Sequence, residues 1–248
     1  MRTTVIATLL ATAVTLSLVA GAQVKEGTHK EGHLDYDHQS AWKGTLDHAQ
    51  SPIDIVTTDA QKAVPNEPLA LQLQHLTGAQ VDKVEDNGHA VQVDSHTTEA
   101  DIRGRHFTLN QFHFHAESEH TLDGKHFPLE GHFVFKAQDG RLAVIGVMYR
   151  EGAANPAVQV LLDDLAAAGG KLPQPQIDIA ALLPHKLGYY HYLGSLTTPP
   201  LTENVEWYVL PEPVSMSKTQ IDAFLSHYRH NNRQIQPLNG RPLIRYEG

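Results

Sequence analysis

Cysteine is absent from all 248 residues. That excludes disulfides, thiolate zinc sites, iron–sulfur clusters and cysteine nucleophiles together. Any tightly held transition metal must therefore sit on histidine and carboxylates. Positive charge is also scarce, with 19 Lys and Arg against 28 Asp and Glu and a formal charge of −9. No basic patch can neutralise phosphates over a large footprint, so nucleic acid is not an expected partner. Long hydrophobic runs are missing as well. The longest, Val5 to Val19, falls short of the ~20 apolar residues a spanning helix needs.

That run follows Arg2 and precedes Ala20-Gly21-Ala22, the order of an export signal with its small-residue cleavage site. The expectation is that residues 1–22 are removed and residues 23–248 form one domain. The product would be periplasmic or secreted, with no stable membrane insertion after cleavage. Nothing after residue 23 reads as a linker, repeat or low-complexity tract. Lys25 to Ala49 is polar and irregular, consistent with a surface arm.

Histidine, by contrast, is abundant: 17 residues, as many as Phe, Tyr and Trp together. The chain around these histidines reads mostly as strands. Leu69, Leu71 and Leu73 alternate with polar residues, as do Ala90 to Asp94. Stronger strands follow at roughly 105–115, 130–136, 141–149, 189–193 and 204–210. Asn87-Gly88, Asp123-Gly124 and Asp139-Gly140 punctuate them as turns. Two helices stand out. Asn155-Pro156 caps one with the apolar stripe Val158, Leu161, Leu162 and Leu165, ended by Gly169-Gly170. Ser217 and Gln220 have capping-box spacing before Ile221, Phe224, Leu225 and Tyr228. Many strands, few helices and no βαβ alternation predict a single α+β domain around a large, mainly antiparallel sheet.

The informative stretch is Gln111-Phe112-His113-Phe114-His115. On a strand, residues two apart share a face, so Gln111, His113 and His115 point one way and the two Phe the other. The next strong strand repeats this, with Glu130, His132 and Val134 on one face and Phe133 and Phe135 on the other. If the aromatic faces lie together, three imidazoles converge opposite them. Three neutral imidazoles suit zinc and leave its fourth tetrahedral position open. H-x-H alone is common and usually inert. Here Gln111 and Glu130 each precede a histidine by two, where they can accept from the ring nitrogen that faces away from a metal. A second feature, Gly194-Ser195-Leu196-Thr197-Thr198-Pro199-Pro200, is on its own only a loop beside a strand.

Taken together, these stretches resemble the α-class carbonic anhydrases, in particular exported bacterial ones. The resemblance runs from about His33 to Leu238. It is carried by Gln50-Ser51-Pro52-Ile53-Asp54, Asn87-Gly88-His89, Gln111 to His115, Ser118-Glu119-His120-Thr121, Glu130-x-His132, Leu142-Ala143-Val144 and Gly194 to Pro200. It implies a twisted sheet of about ten strands holding one zinc ion per chain on His113, His115 and His132. Gln111 and Glu130 would orient His113 and His132, and the backbone carbonyl of Asn231 the remaining ligand. Thr197 would accept from zinc-bound hydroxide, with Glu119 fixing its proton and Thr198 lining the polar side. His89 would be the proton shuttle, since an imidazole near pKa ~6.5 can take and release a proton at neutral pH. Tyr36, Asn87 and Gln92 would order the water chain. Val134, Val144, Leu196, Val205 and Trp207 would form the apolar wall where carbon dioxide rests. The implied activity is reversible hydration of carbon dioxide to bicarbonate and a proton, with these small molecules as the partners and a homodimer left open.

Two departures stand against that pattern. Exported bacterial relatives commonly carry a disulfide from the segment before Gln50 to the loop after Pro200. Here Thr45 and Leu201 stand at about those places, so the restraint on the loop near Thr197 is either weaker or replaced by packing of Leu201. His33-Leu34-Asp35-Tyr36 also lacks the Trp usual beside that Tyr. Two other readings use the same residues: a binding module on this fold without turnover, and a zinc scavenger with exposed labile histidines. A metalloprotease is disfavoured because no H-E-x-x-H occurs.

Overall fold

The computed structural model describes residues 34–64, 69–73, 76, 81–95, 98–167 and 177–248. The expected export signal, the start of the arm and Gly169-Gly170 lie outside the described residues. Thirteen strands appear among them: β1 (Asp54–Ile55), β2 (Gln61–Lys62), β3 (Leu71–Gln72), β4 (Lys83–Asp86), β5 (Val91–Asp94), β6 (Glu99–Ile102), β7 (Arg105–His115), β8 (Thr121–Leu122), β9 (Leu129–Lys136), β10 (Leu142–Glu151), β11 (Tyr189–Ser195), β12 (Glu203–Met216) and β13 (Ile244–Tyr246). Two α-helices accompany them, α1 (Pro156–Ala166) and α2 (Lys218–His227).

Eleven strands form one sheet in the order β2-β13-β11-β12-β10-β9-β7-β5-β4, with β3 and β6 continuing from β7. The sheet is mainly antiparallel, as its sequence pattern predicts, and one strand larger than the resemblance implies. Its centre departs from the rule: β10 and β12 run parallel. The chain between them passes through α1 and β11, long enough for the crossover a parallel pair requires. β12 also extends past 210 to Met216. Proline cannot donate to the ladder, so pairing with β10 breaks at Pro211–Pro213 and resumes at Val214 after a register shift. The Leu69–Leu73 alternation gives a strand only at Leu71–Gln72, paired with β6.

Alternation along the central strands places two cores back to back. One face carries Phe112, Phe114, Phe133, Phe135, Ile145 and Val147 into the larger core. Phe112 and Phe133 are direct cross-strand partners, stacked with centroids 5.0 Å apart. The other face carries Val134, Val144, Val205, Trp207 and Val209 into a smaller core. Both faces of β9 are therefore buried from Leu129 to Phe135.

Both helices pack on the larger core. Asn155 caps α1 by accepting from the N–H groups of Ala157 and Val158, and Val158 and Leu161 are fully buried. Ser217 and Gln220 form the reciprocal capping box of α2, which buries Ile221 and Phe224. Each such side chain contributes roughly 1.5–3 kcal/mol on leaving water. The chain leaving α2 then returns to β7, where it meets the histidines.

Candidate metal centre

The bulge in β7 between Leu109 and Gln111 sets the local register. Beyond it His113 lies directly opposite His132 on β9. His115 stands two residues along on the same face, and the three ring centroids lie 4.5–5.3 Å apart. His115 and His132 are buried. One ligand nitrogen from each ring falls within 4.8 Å of the others.

The surrounding acceptors fix which nitrogen that is. His113 Nδ1 donates to Gln111 Oε1 at 2.8 Å. His115 Nδ1 donates to the Asn231 carbonyl at 2.6 Å. His132 Nε2 donates to Glu130 Oε1 at 2.9 Å. A neutral imidazole has one N–H, so the lone pairs left over are on His113 Nε2, His115 Nε2 and His132 Nδ1. His115 Nε2 is fully buried with no hydrogen-bond partner among the described residues. An orphaned buried acceptor beside two more lone pairs makes a candidate cation site. Burial depresses the pKa of His115, and burial together with its His115 and His132 neighbours holds His113 well below the ordinary value. Burial also opposes charge on His132, but the Glu130 carboxylate outweighs it and raises that pKa.

A second trio, His120, Glu130 and His132, is equally compact but is a hydrogen-bond cluster. His120 Nδ1 and His132 Nε2 both converge on Glu130 Oε1, while Glu130 Oε2 accepts the N–H groups of Glu119 and His120 at 2.8 Å each. His120 Nε2 meets Tyr192 Oη at 2.7 Å, and Tyr192 donates to Ser51 Oγ at 2.8 Å. Sequence reasoning singled out the Ser118–Thr121 and Gln50–Asp54 motifs without giving His120 and Ser51 this task. Two glycines make room for it. A Cβ on Gly146 would stand 2.8 Å from Glu130 Oε1, and one on Gly194 only 2.0 Å from Ser51 Oγ.

A cavity of about 280 Å³ opens beside the trio. His113 and His132 floor it, Val134, Val144, Leu196 and Trp207 wall it, and Thr197 and Thr198 line the side near the loop. Val205 does not line it: it is fully buried behind the wall in the smaller core. It shares the face of Trp207, two residues along β12, and full burial keeps it off the cavity surface. The expected bond from Thr197 to Glu119 is also not made. Glu119 Oε1 accepts the Arg233 N–H at 2.6 Å, and its buried Oε2 has no partner. That oxygen lies 3.8 Å from His132 Nδ1.

His89 sits half-buried in the turn between β4 and β5. It is near enough for its charge to depress His113. Asn87 Oδ1 accepts the N–H groups of His89 and Ala90, while its Nδ2 donates to Gln92 Oε1 at 2.9 Å. Gln92 is the cross-strand partner of His113. None of these three is among the residues that line the cavity. Tyr36 is outside it too, its hydroxyl buried without a partner and its ring edge-on to Trp42 at 5.1 Å. Burial and the nearby Glu119 carboxylate push that phenol far up. At the missing disulfide, the residue facing Leu201 is Gly44, whose Cβ would lie 3.3 Å from that of Leu201. Thr45 is exposed. Leu201 is buried, and its carbonyl accepts from Gln50, which supplies the loop restraint.

A family model described as eukaryotic-type carbonic anhydrase matches residues 37–247. The chain belongs to the carbonic anhydrase family. Family membership makes it a lyase that hydrates carbon dioxide. A carbonic anhydrase of Pectobacterium atrosepticum is 46% identical over 199 residues, 79% of each chain. A solved α-carbonic anhydrase of Thermovibrio ammonificans, in complex with sulfanilamide, is 39% identical with a TM-score of 0.72, over 79% of this chain and 87% of that one. Cah3 of Chlamydomonas reinhardtii, in complex with acetazolamide, is 32% identical with a TM-score of 0.75, over 86% and 98%.

Proposed function

We propose that this chain hydrates carbon dioxide with one zinc ion held by His113 Nε2, His115 Nε2 and His132 Nδ1. The observation that carries the reading is the set of outer hydrogen bonds. Gln111, the Asn231 carbonyl and Glu130 each commit one ring nitrogen as a donor, so the three lone pairs converge before any ion arrives. Such partners hold ring orientation and raise ligand basicity. Zinc on three neutral imidazoles supplies the Lewis acidity that makes water a nucleophile at neutral pH, a generalisation for which carbonic anhydrase itself is the standard example.

The remaining steps belong to the protein. Val134, Val144, Leu196 and Trp207 hold carbon dioxide by shape and apolar contact beside the attacking oxygen. The Thr197 hydroxyl accepts a hydrogen bond from that oxygen and so aims its lone pair. To do so it must donate its own proton, and Glu119 Oε2, buried and unpartnered, is the acceptor left for it. Thr198 contributes polarity on the same side. His89 carries the released proton from the cavity to buffer, with Asn87, Gln92 and Tyr36 placing the intervening water. Export rests on the Val5–Val19 run and the Ala20-Gly21-Ala22 site. Among the described residues no helix is long and apolar enough to cross a membrane.

The test is reconstitution. Chelator-stripped protein should be inactive, and carbon dioxide hydration should return in proportion to added zinc and saturate at one equivalent. Hydration undiminished after complete stripping would exclude the zinc reading. Full zinc uptake without hydration would instead mark a binding module.

A further inference from the structure

The turn that carries His89 is fastened to the C-terminal end of α2 by contacts that the reaction itself does not require. Asp86 is the last residue of β4. Its Oδ1 accepts the Gly88 N–H at 3.1 Å and the Tyr228 hydroxyl, and its Oδ2 meets His227 Nδ1 at 3.1 Å. Three residues beyond Tyr228, Asn231 Nδ2 donates to the His89 carbonyl at 2.9 Å, and Nδ2 also donates to the Phe114 carbonyl at 3.0 Å. The segment after α2 thus grips the turn on both sides of Gly88, and its Asn231 carbonyl also holds His115. Gly88 has φ +90°, a conformation open to glycine at little cost. The turn thus has no steric lock of its own at that residue.

We propose that Asp86, held by Tyr228 and His227, is a positioning residue that sets the distance between the His89 imidazole and the metal centre. The inference rests on the reading of His89 as the proton shuttle. Asp86 touches neither substrate nor ligand, so it acts only through the turn. Proton export limits the maximal rate in dilute, bulky buffer, whereas kcat/KM reports the steps up to bicarbonate release. A shuttle displaced by about an ångström loses rate without altering those earlier steps.

The test compares wild type, Asp86→Ala, Asp86→Asn, Tyr228→Phe, His89→Ala and the Asp86→Ala/His89→Ala pair, all as zinc-loaded full chains. Asp86→Ala should lower kcat about tenfold in dilute bulky buffer, keep kcat/KM within twofold, and recover in small imidazole buffer. Asp86→Asn keeps the acceptor for Gly88 and Tyr228 and should restore most of the rate, and Tyr228→Phe should fall between. The double variant should be no slower than His89→Ala. If His89→Ala is impaired but Asp86→Ala matches wild type, the positioning role is overturned and the shuttle stands. If His89→Ala matches wild type in every buffer, the shuttle reading fails and the inference falls with it. An Asp86→Ala defect that imidazole does not relieve, or that lowers kcat/KM equally, would show general damage and also overturn the proposal.

Discussion

The Asn231 carbonyl oxygen lies 2.6 Å from His115 Nδ1, across 116 residues of sequence. One backbone atom on a loop after the last helix thereby decides which nitrogen of a β7 histidine is left for a metal. The other two histidines of the trio take that instruction from neighbours two residues away.

His132→Ala leaves two imidazoles, fewer than a structural or catalytic zinc site uses. Zinc and hydration activity should be lost together, read by metal analysis after dialysis and by stopped-flow hydration. Normal occupancy and rate in that variant would remove His132 from the site.

How much of this was legible in the sequence depends on range. His113, His115 and His132, with Gln111 and Glu130, were readable because strand alternation is local and fixes a shared face. Phe112, Phe114, Phe133 and Phe135 were readable for the same reason. The roles of His120, Tyr192 and Ser51 were not, because their chain joins residues up to 141 positions apart. Nor was the parallel β10–β12 pair, since a strand's apolar pattern does not encode its neighbour's direction. Val205 was placed by resemblance on the cavity wall; it shares the face of the wall residues but is fully buried and does not reach the cavity surface. Asp86 gave no signal, and Tyr228 read only as the end of an apolar helix stripe: an acid at a strand end and a tyrosine at a helix end are ordinary residues until the fold brings them together.

Thr197→Ala should keep zinc but leave the attacking oxygen unaimed. The expected loss in kcat is roughly 10²–10³-fold, the size of one missing transition-state hydrogen bond. A rate within twofold of wild type, with zinc content unchanged, would place the Gly194–Pro200 loop outside the chemistry.

Gly146 sits opposite His132 in the β9–β10 ladder, and a methyl there would press on Glu130 Oε1 at 2.8 Å. Gly146→Ala should therefore tilt His132 and weaken zinc binding roughly 10–100-fold, the usual cost of losing an orienting partner. Competition against a fluorescent chelator would measure it. Unchanged affinity would mean that Glu130 does not orient the ligand.

Gly44 and Leu201 face each other closely enough for a cross-link. A Cβ on Gly44 would also stand 2.7 Å from the Leu46 carbonyl. The Gly44→Cys/Leu201→Cys pair should therefore cross-link only with a local shift of that segment, and its gain should fall below the roughly 2–4 kcal/mol of an unstrained disulfide. The gain should vanish in reductant. Failure to cross-link on a non-reducing gel would contradict this register of the loop.

His89→Ala should reduce the maximal rate in a bulky, dilute buffer while leaving kcat/KM nearly unchanged. A small imidazole buffer should restore much of the loss by carrying the proton directly. Equal rates for variant and wild type in every buffer would end the assignment of His89 and leave the zinc ligands untouched.

The central claim is that three preset imidazole lone pairs hold one catalytic zinc. Its most direct measurement is X-ray absorption at the zinc edge on dialysed protein that is hydrating carbon dioxide. The account predicts one zinc per chain with three imidazole nitrogens at about 2.0–2.1 Å and one further light ligand. Fewer than three imidazoles around the zinc, or hydration by protein that holds no zinc, would contradict it.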